Sequence, residues 1–472
     1  MIQFAQMKQT HKERVAALAA QVAGFYEQKK PFKIYHGSTN STRIQVFKRS
    51  EMLDTSGLNH VLHIDPKTRT ALVEPNIPMD KLVRATLKHG LIPPVVPEFP
   101  GITVGGALQG TTAESSSHIW GCFSQTLKSI EMIQGNGEVI HASPKKHSDL
   151  FYGVAGSFGT LGVTTLVEIQ LIQAKKYITV EHFQVRSVRE SQVLMEKFVK
   201  EGAQYIEWVM LRKNFGIIII GTMSDTITGR LKRFSRPFDD WYYLYARDIA
   251  ERGLHITDTV PLKDYLFRYN RGAFWAAELV IKHYGMPFNH TTRTLLDPFL
   301  RTRKLYQAIQ SSAASQIYLC QDVMVPDTSL ESFMEELDKE LHLYPVGGCP
   351  IKTEPQSKLQ CNYLDSVLAY NIGIYGLRVT PYEKFVRLNK TIEKTTRRHK
   401  GRKWLYAHSY YTEDEFWNIY DKNWYERLRK QYHATMLPNI YNKIVVTERY
   451  AVKMKQGALK MIVGLSKLKI TP

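Results

Sequence analysis

The residues best suited to chemistry lie in a glycine-rich stretch, PEFPGITVGGALQGTTAESSSHIWG, at positions 97–121. Its glycines have no Cβ atom, so the backbone can approach a ligand closely and turn N–H groups toward an anion. The carboxylate and three hydroxyls of the ESSS run at 114–117 can bond ribityl or ribose hydroxyls. The stretch therefore predicts a dinucleotide cradle rather than a plain glycine-rich turn before a helix.

Two further segments have a similar character. The first, FKIYHGSTNSTR at 32–43, is a short apolar strand that leads into small and hydroxylated residues, which can donate hydrogen bonds to phosphate. The second, DLFYGVAGSFGTLGVTT at 149–165, is a helical turn followed by three glycines and a β-branched strand. The glycine spacing is wrong for a Rossmann fingerprint, so a separate nicotinamide-binding domain is not predicted.

These loops resemble the FAD-binding domain of the vanillyl-alcohol oxidase and p-cresol methylhydroxylase (PCMH) superfamily. Three later segments are similar to the delta-24 sterol reductases, also called the 24-dehydrocholesterol reductase or seladin/diminuto family: QDVMVP at 321–326, HLYPVGGCP at 342–350 and LYAHSYYTEDEFW at 405–417. The likeness runs from about residue 12 to about residue 445. The later segments are the more specific part, because many oxidases share the flavin loops.

The resemblance implies an α+β protein. A PCMH-type FAD-binding domain of two subdomains, residues 1–176, would precede a mixed α/β substrate or cap domain, residues 177–432. Members that bond flavin covalently often have a histidine late in the first loop, where this sequence has Asn40 and Ser41, while His36 lies too early. We therefore expect FAD to be held non-covalently.

The resemblance also implies which residues bind FAD. They are Gly37, Ser38, Asn40, Ser41, Thr103, Gly105, Gly106, Gly110, Thr111, Glu114, Ser115, Ser116, His118, Gly121, Ser157, Gly159, Gly162 and Val163.

The similarity to the reductases implies reduction of a carbon–carbon double bond in the side chain of a sterol or related isoprenoid, with NADPH as electron donor. The reaction needs a hydride from the flavin N5 and a proton from an acid across the substrate. Candidate acids in the similar segments, each also typical of a buried structural role, are Glu278, Tyr375, Tyr406 and His408. His408 and Asn371 stand where the reductases tend to have a carboxylate.

Two other functions stay open on the residues alone. A flavin-dependent alcohol or polyol oxidase of the vanillyl-alcohol oxidase type would use the same flavin loops with oxygen or another acceptor. A basic membrane- or nucleic-acid-binding protein without flavin is the non-enzyme alternative. The complete glycine sets of both loops argue against this last function.

The net charge and the absence of certain sequence patterns indicate which kinds of partner to expect. The sequence of 472 residues has 63 basic and 44 acidic residues, for a formal net charge of +19. This excess favours an anionic partner, but the charge is spread and no zinc-finger, RNP or basic-zipper pattern accompanies it, so nucleic acid is not expected. The four cysteines form no C-x-x-C pair and no H-E-x-x-H pattern occurs, so neither a disulfide framework nor a metal site is predicted.

The sequence has no run of ~18 to 20 apolar residues, and polar residues interrupt its start, so neither a transmembrane helix nor a signal peptide is predicted. We expect a cytoplasmic protein that lies peripherally on the endoplasmic reticulum membrane. In the basic tail, 433–472, apolar residues and lysines of 449–469 occupy different faces at helical spacing. This pattern predicts an interfacial helix and is equally typical of a last helix packed on the flavin domain.

Hydrophobic periodicity predicts the elements that position the loops. They are a helix over 15–25, a hairpin over 61–74, a helix over 80–87, a hairpin over 130–141, a strand over 163–172, a strand over 215–223, and a strand leading into a long helix over 404–432. Beyond residue 176 the segments become rich in aromatic residues, as expected of a cap that encloses an apolar substrate.

Overall fold

A computed structural model describes residues 2–37, 41–453 and 469–471 of the protein. The amino-terminal part contains α1 (Ile2–Glu27), β1 (Lys33–Tyr35), β2 (Val46–Lys48), β3 (Met52–Asp54), β4 (Val61–Asp65), β5 (Thr70–Val73), α2 (Met79–Leu87), β6 (Leu91–Ile92), α3 (Val104–Gln109), α4 (Ser117–Trp120), β7 (Leu127–Ile133), β8 (Val139–Ala142), α5 (Ser148–Val154), β9 (Val163–Gln170) and β10 (Ile172–Gln173).

Five of these strands form an antiparallel sheet in the order β4-β5-β9-β7-β8, and β1 pairs with β3 in parallel. The predicted hairpins are the β4–β5 and β7–β8 pairs, and the predicted helices are α1 and α2. A histidine anchors α1 to this sheet: His11 lies 2.9 Å from Glu74 and 3.1 Å from Glu131. Burial disfavours its charged form, but both carboxylates outweigh burial and raise the pKa of His11 to about 9.

The next part forms the second α+β domain. Its elements are β11 (Tyr177–Val185), α6 (Val188–Lys200), β12 (Tyr205–Arg212), β13 (Phe215–Ser224), β14 (Arg230–Leu231), α7 (Tyr242–Glu251), β15 (Thr257–Pro261), α8 (Leu262–Leu266), α9 (Ala276–His283), α10 (His290–Leu296), α11 (Thr302–Ser312), β16 (Tyr318–Pro326), α12 (Leu330–Leu341), β17 (Val346–Gly348), β18 (Pro350–Lys352), β19 (Leu368–Leu377), α13 (Tyr382–Arg398) and β20 (Arg402–Lys403).

A ten-stranded sheet is the core of this second domain. Its order is β14-β15-β11-β13-β12-β17-β19-β16-β20, with β18 paired to β19. Helices α6, α12 and α13 cover one face through Met195, Phe333 and Phe385, which pack against strand residues. Residues of the opposite face, among them Tyr205 and Val209, belong to a hydrophobic core that continues into the first domain. The sheet therefore has one face covered by its own helices and one that faces the flavin loops.

After β20 the polypeptide returns to the first domain through α14 (Glu413–Trp417), α15 (Lys422–Gln431), α16 (Ile440–Ile444) and β21 (Lys469–Thr471). The single long helix predicted over 404–432 is wrong, because Asp421 accepts the Trp424 N–H and starts α15 as a separate helix. The sequence assigned these residues to the cap. In the structure Tyr425 donates to Thr160 Oγ1 at 2.8 Å, so α15 packs on the first domain.

The carboxy-terminal tail is described in part. Residues 449–453 are not helical, and 454–468, where the rest of the predicted interfacial helix falls, lie outside the described residues. Strand β21 pairs in parallel with β2 of the first domain. No helix among the residues that the structure describes is both long enough and apolar enough to cross a bilayer.

Gly135 allows a test of the contact between the β7–β8 turn and the segment that returns to the first domain. A Cβ atom there would lie 1.9 Å from the His433 carbonyl oxygen, so Gly135→Ala forces the two segments apart. We expect this substitution to lower stability by roughly 1–3 kcal/mol or more, measured by thermal unfolding. Gly57→Ala is the matched control, since a Cβ at Gly57 meets nothing within 4 Å. Equal melting temperatures for the two variants would contradict this packing.

Candidate active site

A cavity of about 820 Å³ lies between the two domains. All three loops singled out in the sequence border it from the first domain, and strands β12, β16, β17 and β19 border it from the ten-stranded sheet. Parts of the returning segment, within 404–408 and 438–450, close it. The cavity therefore lies where the predicted flavin loops meet the predicted cap.

Many of the predicted flavin-binding residues do line this cavity. They are Ser41, Thr103, Gly105, Gly106, Gly110, Ser115, Gly159, Gly162 and Val163. Other predicted residues lie in the described part of the protein but are absent from the cavity lining: Gly37, Thr111, Glu114, Ser116, His118, Gly121 and Ser157. Ser38 and Asn40 lie outside the described residues.

Gln109, which the sequence did not suggest, joins two of the glycine loops. Its Oε1 accepts from Ser157 Oγ and from the Gly159 N–H, both at 2.9 Å, while its Nε2 donates to Thr164 Oγ1 at 3.1 Å. Within the first of these loops, a Cβ at Gly105 would lie 2.8 Å from Pro75 Cβ, so glycine is required there for close packing. The two loops thus form one rigid wall of the cavity.

Most of the ESSSH run contacts the domain interface, while Ser115 also lines the cavity, so the bonding of ribose or ribityl hydroxyls by this run stays a prediction. Ser116 Oγ donates to the Pro94 carbonyl at 2.8 Å, and His118 Nε2 lies 2.7 Å from the Ala203 carbonyl of the second domain. Glu114 accepts two hydrogen bonds from Arg268, each at 3.3 Å. These side chains therefore already have hydrogen-bond partners within the protein.

Arg268 also pairs with Glu207 at 3.1 Å, and its side chain is fully buried between the two carboxylates. A third carboxyl, Glu98, lines the cavity beside this group. Burial and the Glu114 charge raise the pKa of Glu98 well above its usual range. Burial opposes ionisation of Glu114 as well, but Arg268 outweighs it and lowers the pKa of Glu114. The pKa values of these two neighbouring carboxyl groups are therefore shifted in opposite directions.

Asp322 is the centre of a second polar cluster in the cavity. Tyr375 Oη donates to its two carboxyl oxygens at 2.8 Å each, Tyr406 Oη donates to Oδ2, and Asn371 Nδ2 donates to Oδ1 at 3.2 Å. Burial raises the pKa of Asp322 although hydrogen bonds from these three side chains oppose the shift. Burial and the neighbouring Asp322 raise the pKa of both tyrosines well above its usual range, so both keep their phenol protons.

The sequence predicted Tyr375 and Tyr406 as candidates but missed Asp322. Its signal was a carboxylate inside the otherwise apolar strand that ends QDVMVP, at 321–326. Antiparallel pairing of β16 with β19 places Asp322 opposite Gly373 and brings it next to Tyr375. This register could not be read from the sequence alone.

An aromatic wall adjoins the Asp322 cluster. The ring of Phe274 lies 5.6 Å from that of Tyr375 and 5.6 Å from that of Phe99, and Tyr306 contacts Phe99 at 6.0 Å. All four rings line the cavity. Such a wall suits an apolar ligand that presents few hydrogen-bonding groups.

The two remaining candidate acids are placed differently. His408 lines the cavity, and its Nδ1 lies 2.8 Å from Thr42 Oγ1. Burial and two nearby cations lower the pKa of His408 to about 3, so it carries no exchangeable imidazolium proton at neutral pH. Glu278 is absent from the described cavity lining and forms ion pairs with Arg247 and Lys282, at 3.1 and 2.7 Å. The geometry therefore favours the tyrosines over both.

The first loop and the Tyr406 segment form one unit. Arg43 Nη1 donates to the Leu405 and Ala407 carbonyls at 2.6 and 2.7 Å, and the Thr42 N–H donates to the Tyr406 carbonyl at 3.2 Å. At this end of the cavity Arg43 Nε and His36 Nδ1 are buried and have no hydrogen-bond partner among the described residues. Unpaired buried donors are rare in folded proteins, so these atoms fit a site that a polar group such as the FAD diphosphate occupies.

Comparison with known proteins agrees with this geometry. The FAD binding domain family matches residues 12–143. The delta(24)-sterol reductase of Mus musculus is 28% identical over 453 residues, which cover 93% of this chain and 87% of the mouse protein. The delta(24)-sterol reductase of Arabidopsis thaliana is 26% identical over 423 residues, which cover 81% of this chain and 74% of the plant protein.

A third relative shares only one region. The decaprenylphosphoryl-beta-D-ribose oxidase of Mycolicibacterium smegmatis is 35% identical over 121 residues, which cover 25% of this chain and 26% of the oxidase. The resemblance that the motifs indicated is confirmed, as is the assignment of FAD. The similarity to the reductases extends through the second domain, whereas that to the oxidase does not.

We predict that the flavin is not covalently attached. In the described part of the first loop, Ser41 and Arg43 line the cavity where covalent members often have a histidine. Precipitation of purified protein with acid should release the yellow colour into the supernatant. His36 also lines the cavity and is the control position. A yellow pellet that becomes colourless in His36→Ala would contradict the prediction and identify the attachment point.

Proposed function

Because the protein is similar to delta-24 sterol reductases over 93% of its length, we propose that it is an FAD-dependent oxidoreductase that reduces a carbon–carbon double bond in a hydrophobic, sterol-like substrate. NADPH is the proposed electron donor, and an alkene in the side chain of a sterol or related isoprenoid is the proposed target. The observation that carries this proposal is the buried Asp322 cluster with its two tyrosines. It brings two protonated phenol groups to an aromatic-walled cavity bordered by the flavin loops.

Reduction of an isolated alkene adds a hydride to one carbon and a proton to the other. A bound, reduced flavin supplies the hydride. The residues fitted to hold it are the glycines of both loops together with Gln109. The protein must then supply the proton from a group that is still protonated inside a buried cavity. Tyr375 and Tyr406 meet this requirement, because both line the cavity and both have raised pKa values.

The protonation state of Asp322 decides where the phenol hydrogens point. An ionised Asp322 accepts from both tyrosines, so both hydrogens are directed at the carboxylate. A protonated Asp322 can donate its own hydrogen to one phenol oxygen, which frees that phenol's hydrogen to point at a ligand. Burial raises the pKa of Asp322 and so extends the protonated form to higher pH.

Groups of the protein can then supply the proton. One tyrosine gives its phenol proton to the alkene carbon, and Asp322 passes its proton to that tyrosine at the same time. No tyrosinate accumulates beside a carboxylate, which would be unfavourable in a buried site. Asp322 is left ionised and regains a proton between turnovers. In this scheme a tyrosine is the proton donor, and Asp322 reprotonates and positions that tyrosine.

Two half-reactions test the proposed function. Under anaerobic conditions NADPH should bleach the yellow enzyme, and a Δ24 sterol should restore the colour. The absorbance of oxidised flavin measures both steps in a stopped-flow instrument. Rapid recolouring by oxygen together with turnover of alcohols, and none by the sterol, would instead support an alcohol oxidase.

Substitutions in the Asp322 cluster test proton donation separately from hydride transfer. We expect Tyr375→Phe or Tyr406→Phe to slow reoxidation by the sterol roughly 10²- to 10⁴-fold, the usual contribution of a general acid, while bleaching by NADPH stays within about twofold. Asp322→Asn should slow the same step. In the wild type this step should slow as pH rises through the raised pKa of Asp322, because the protonated form is lost, and Asp322→Asn should remove that dependence.

Tyr318→Phe is the matched control. Tyr318 lies on the same strand as Asp322, and its buried phenol oxygen has no hydrogen-bond partner among the described residues. This variant should keep both half-reactions at wild-type rates. Wild-type reoxidation in both cavity tyrosine variants, or equal slowing of both half-reactions, would rule out the cluster as the proton source.

A further inference from the structure

Helix α11 forms a thin part of the cavity wall. Tyr306, near the middle of the helix, lines the cavity, whereas Arg303 and Gln307 are exposed. Leu305 packs on a small hydrophobic cluster of the second domain that includes Trp241, so one face of the helix is fixed to that domain. A single helix therefore separates this part of the cavity from the surroundings.

Three side chains of α11 meet the first domain. Arg303, Tyr306 and Gln310 follow one another at intervals of three and four residues, so they share one face of the helix. Between the two polar residues, Tyr306 meets Phe99, with ring centroids 6.0 Å apart. The seam between α11 and the first domain thus includes two polar contacts, one on each side of an aromatic contact.

Arg303 makes the polar contact near the start of α11. Its Nη2 and Nη1 donate to the Asp80 carboxylate of α2 at 2.7 and 3.1 Å, and Nη2 also donates to the Pro100 carbonyl at 2.9 Å. The stem of this side chain lies on Gly101, where a Cβ atom would come within 2.9 Å of Arg303 Cγ. Because Gly101 lines the cavity, Arg303 closes the seam directly over the glycine-rich stretch.

Gln310 makes the polar contact near the end of α11. Its Nε2 donates to the carbonyl oxygens of Ser41 and Arg43, at 2.5 and 3.0 Å. Both of these residues belong to the first loop and line the cavity. Helix α11 therefore runs along the cavity from the glycine-rich stretch to the first loop.

The seam is weaker than other contacts that join the two domains at the cavity. The Arg303 side chain is 47% exposed, and exposed ion pairs contribute little to stability. By contrast, the ion pair of Arg268 with Glu114 is buried, as is the hydrogen bond from Trp404 Nε1 to the Thr111 carbonyl at 2.8 Å. Separating buried charges costs much more, because it leaves them unpaired. The domains can therefore part at the seam more easily than around Arg268.

We propose that α11 is the lid through which the hydrophobic substrate enters and leaves the cavity, with Arg303 and Asp80 as its latch. The proposal rests on the proposed function only for the apolar character of the substrate. A ligand that passes the parted seam meets Tyr306 and Phe99, which belong to the aromatic wall. Arg303 and Asp80 are positioning residues, because they control the opening of the lid and do not line the described cavity.

The first experiment weakens the latch. Association and dissociation rates of a Δ24 sterol are measured in a stopped-flow instrument from the change in oxidised-flavin absorbance, without NADPH. We expect Arg303→Met and Asp80→Asn each to raise both rates about two- to fivefold, as loss of one exposed ion pair allows. The dissociation constant should stay within about twofold, because a lid gates entry and exit alike. Loss of a substrate contact would instead raise mainly the dissociation rate.

Two further variants are controls for the latch. The Arg303→Met, Asp80→Asn double variant should be no faster than either single variant, because both substitutions remove the same contact. Lys304→Met makes the same change at the next residue of α11, which is not part of the latch, and should behave as the wild type. Additive effects of the two latch substitutions would contradict a shared role.

The second experiment locks the seam. The sulfur of a cysteine at 303 would take the place of Arg303 Cγ, 2.9 Å from a Cβ atom at Gly101, so Gly101→Cys with Arg303→Cys can form a disulfide. We expect the oxidised double variant to bind and release the sterol roughly tenfold more slowly, or slower still, than the same protein after its disulfide is reduced. Arg303→Cys alone is the control and should have the same rates before and after reduction.

Quenching of flavin fluorescence by iodide, at constant ionic strength, provides a readout that needs no substrate. It should be stronger in Arg303→Met and weaker in the locked protein than in the wild type. Equal quenching in all three proteins, or sterol rates that the lock leaves unchanged, would overturn the lid. A wild-type flavin spectrum that does not respond to the sterol would contradict the proposed substrate instead, and the quenching would then decide the lid by itself.

Discussion

The buried guanidinium of Arg268 is the interaction on which the rest of the structure depends. It bridges Glu114 of the glycine-rich stretch and Glu207 of β12, so it joins the flavin loop to the ten-stranded sheet. Tyr242 and Tyr269 donate to Glu207 at 2.9 and 3.0 Å and complete its hydrogen bonds. Removing one partner of such a buried group typically costs about 3–5 kcal/mol, because an unpaired charge stays behind. The distance between the flavin loop and the cap, and with it the shape of the cavity, is set by this contact.

The two ends of the resulting cavity differ in electrostatic character. Basic side chains that form no ion pair among the described residues lie at the end formed by the first loop, whereas phenols and carboxyl groups with raised pKa values lie toward the ten-stranded sheet. This division suits a long ligand whose charged part and reactive part need opposite surroundings. The LYAHSYY segment contributes to both ends, since its carbonyls hold Arg43 and its Tyr406 contacts Asp322. A shift in this segment would therefore disturb the binding of an anion and the supply of a proton together.

The sequence predicted the local features of the fold and site much better than the long-range ones. Hairpins depend on neighbouring residues, so the β4–β5 and β7–β8 hairpins were predicted correctly, and all three predicted glycine loops do border the cavity. The ESSSH run looked like a set of ligand donors, but its partners Arg268 and Ala203 are distant in sequence and could not be foreseen. Asp322 and Lys443 were missed for the same reason. Each becomes part of the site only through strand register or through the return of the polypeptide to the first domain.

That return has a consequence for how the protein is made. The first domain is assembled from two separate stretches. Its helices α15 and α16 follow all strands of the ten-stranded sheet in the sequence, and α15 packs on the first domain. A ribosome adds roughly 5–20 residues per second, so the amino-terminal stretch waits on the order of tens of seconds for its missing helices. During that time the core around Thr160 lacks Tyr425, and the cavity lacks Lys443. The cavity wall is therefore complete only after the carboxy-terminal stretch has been synthesised and has packed on the first domain.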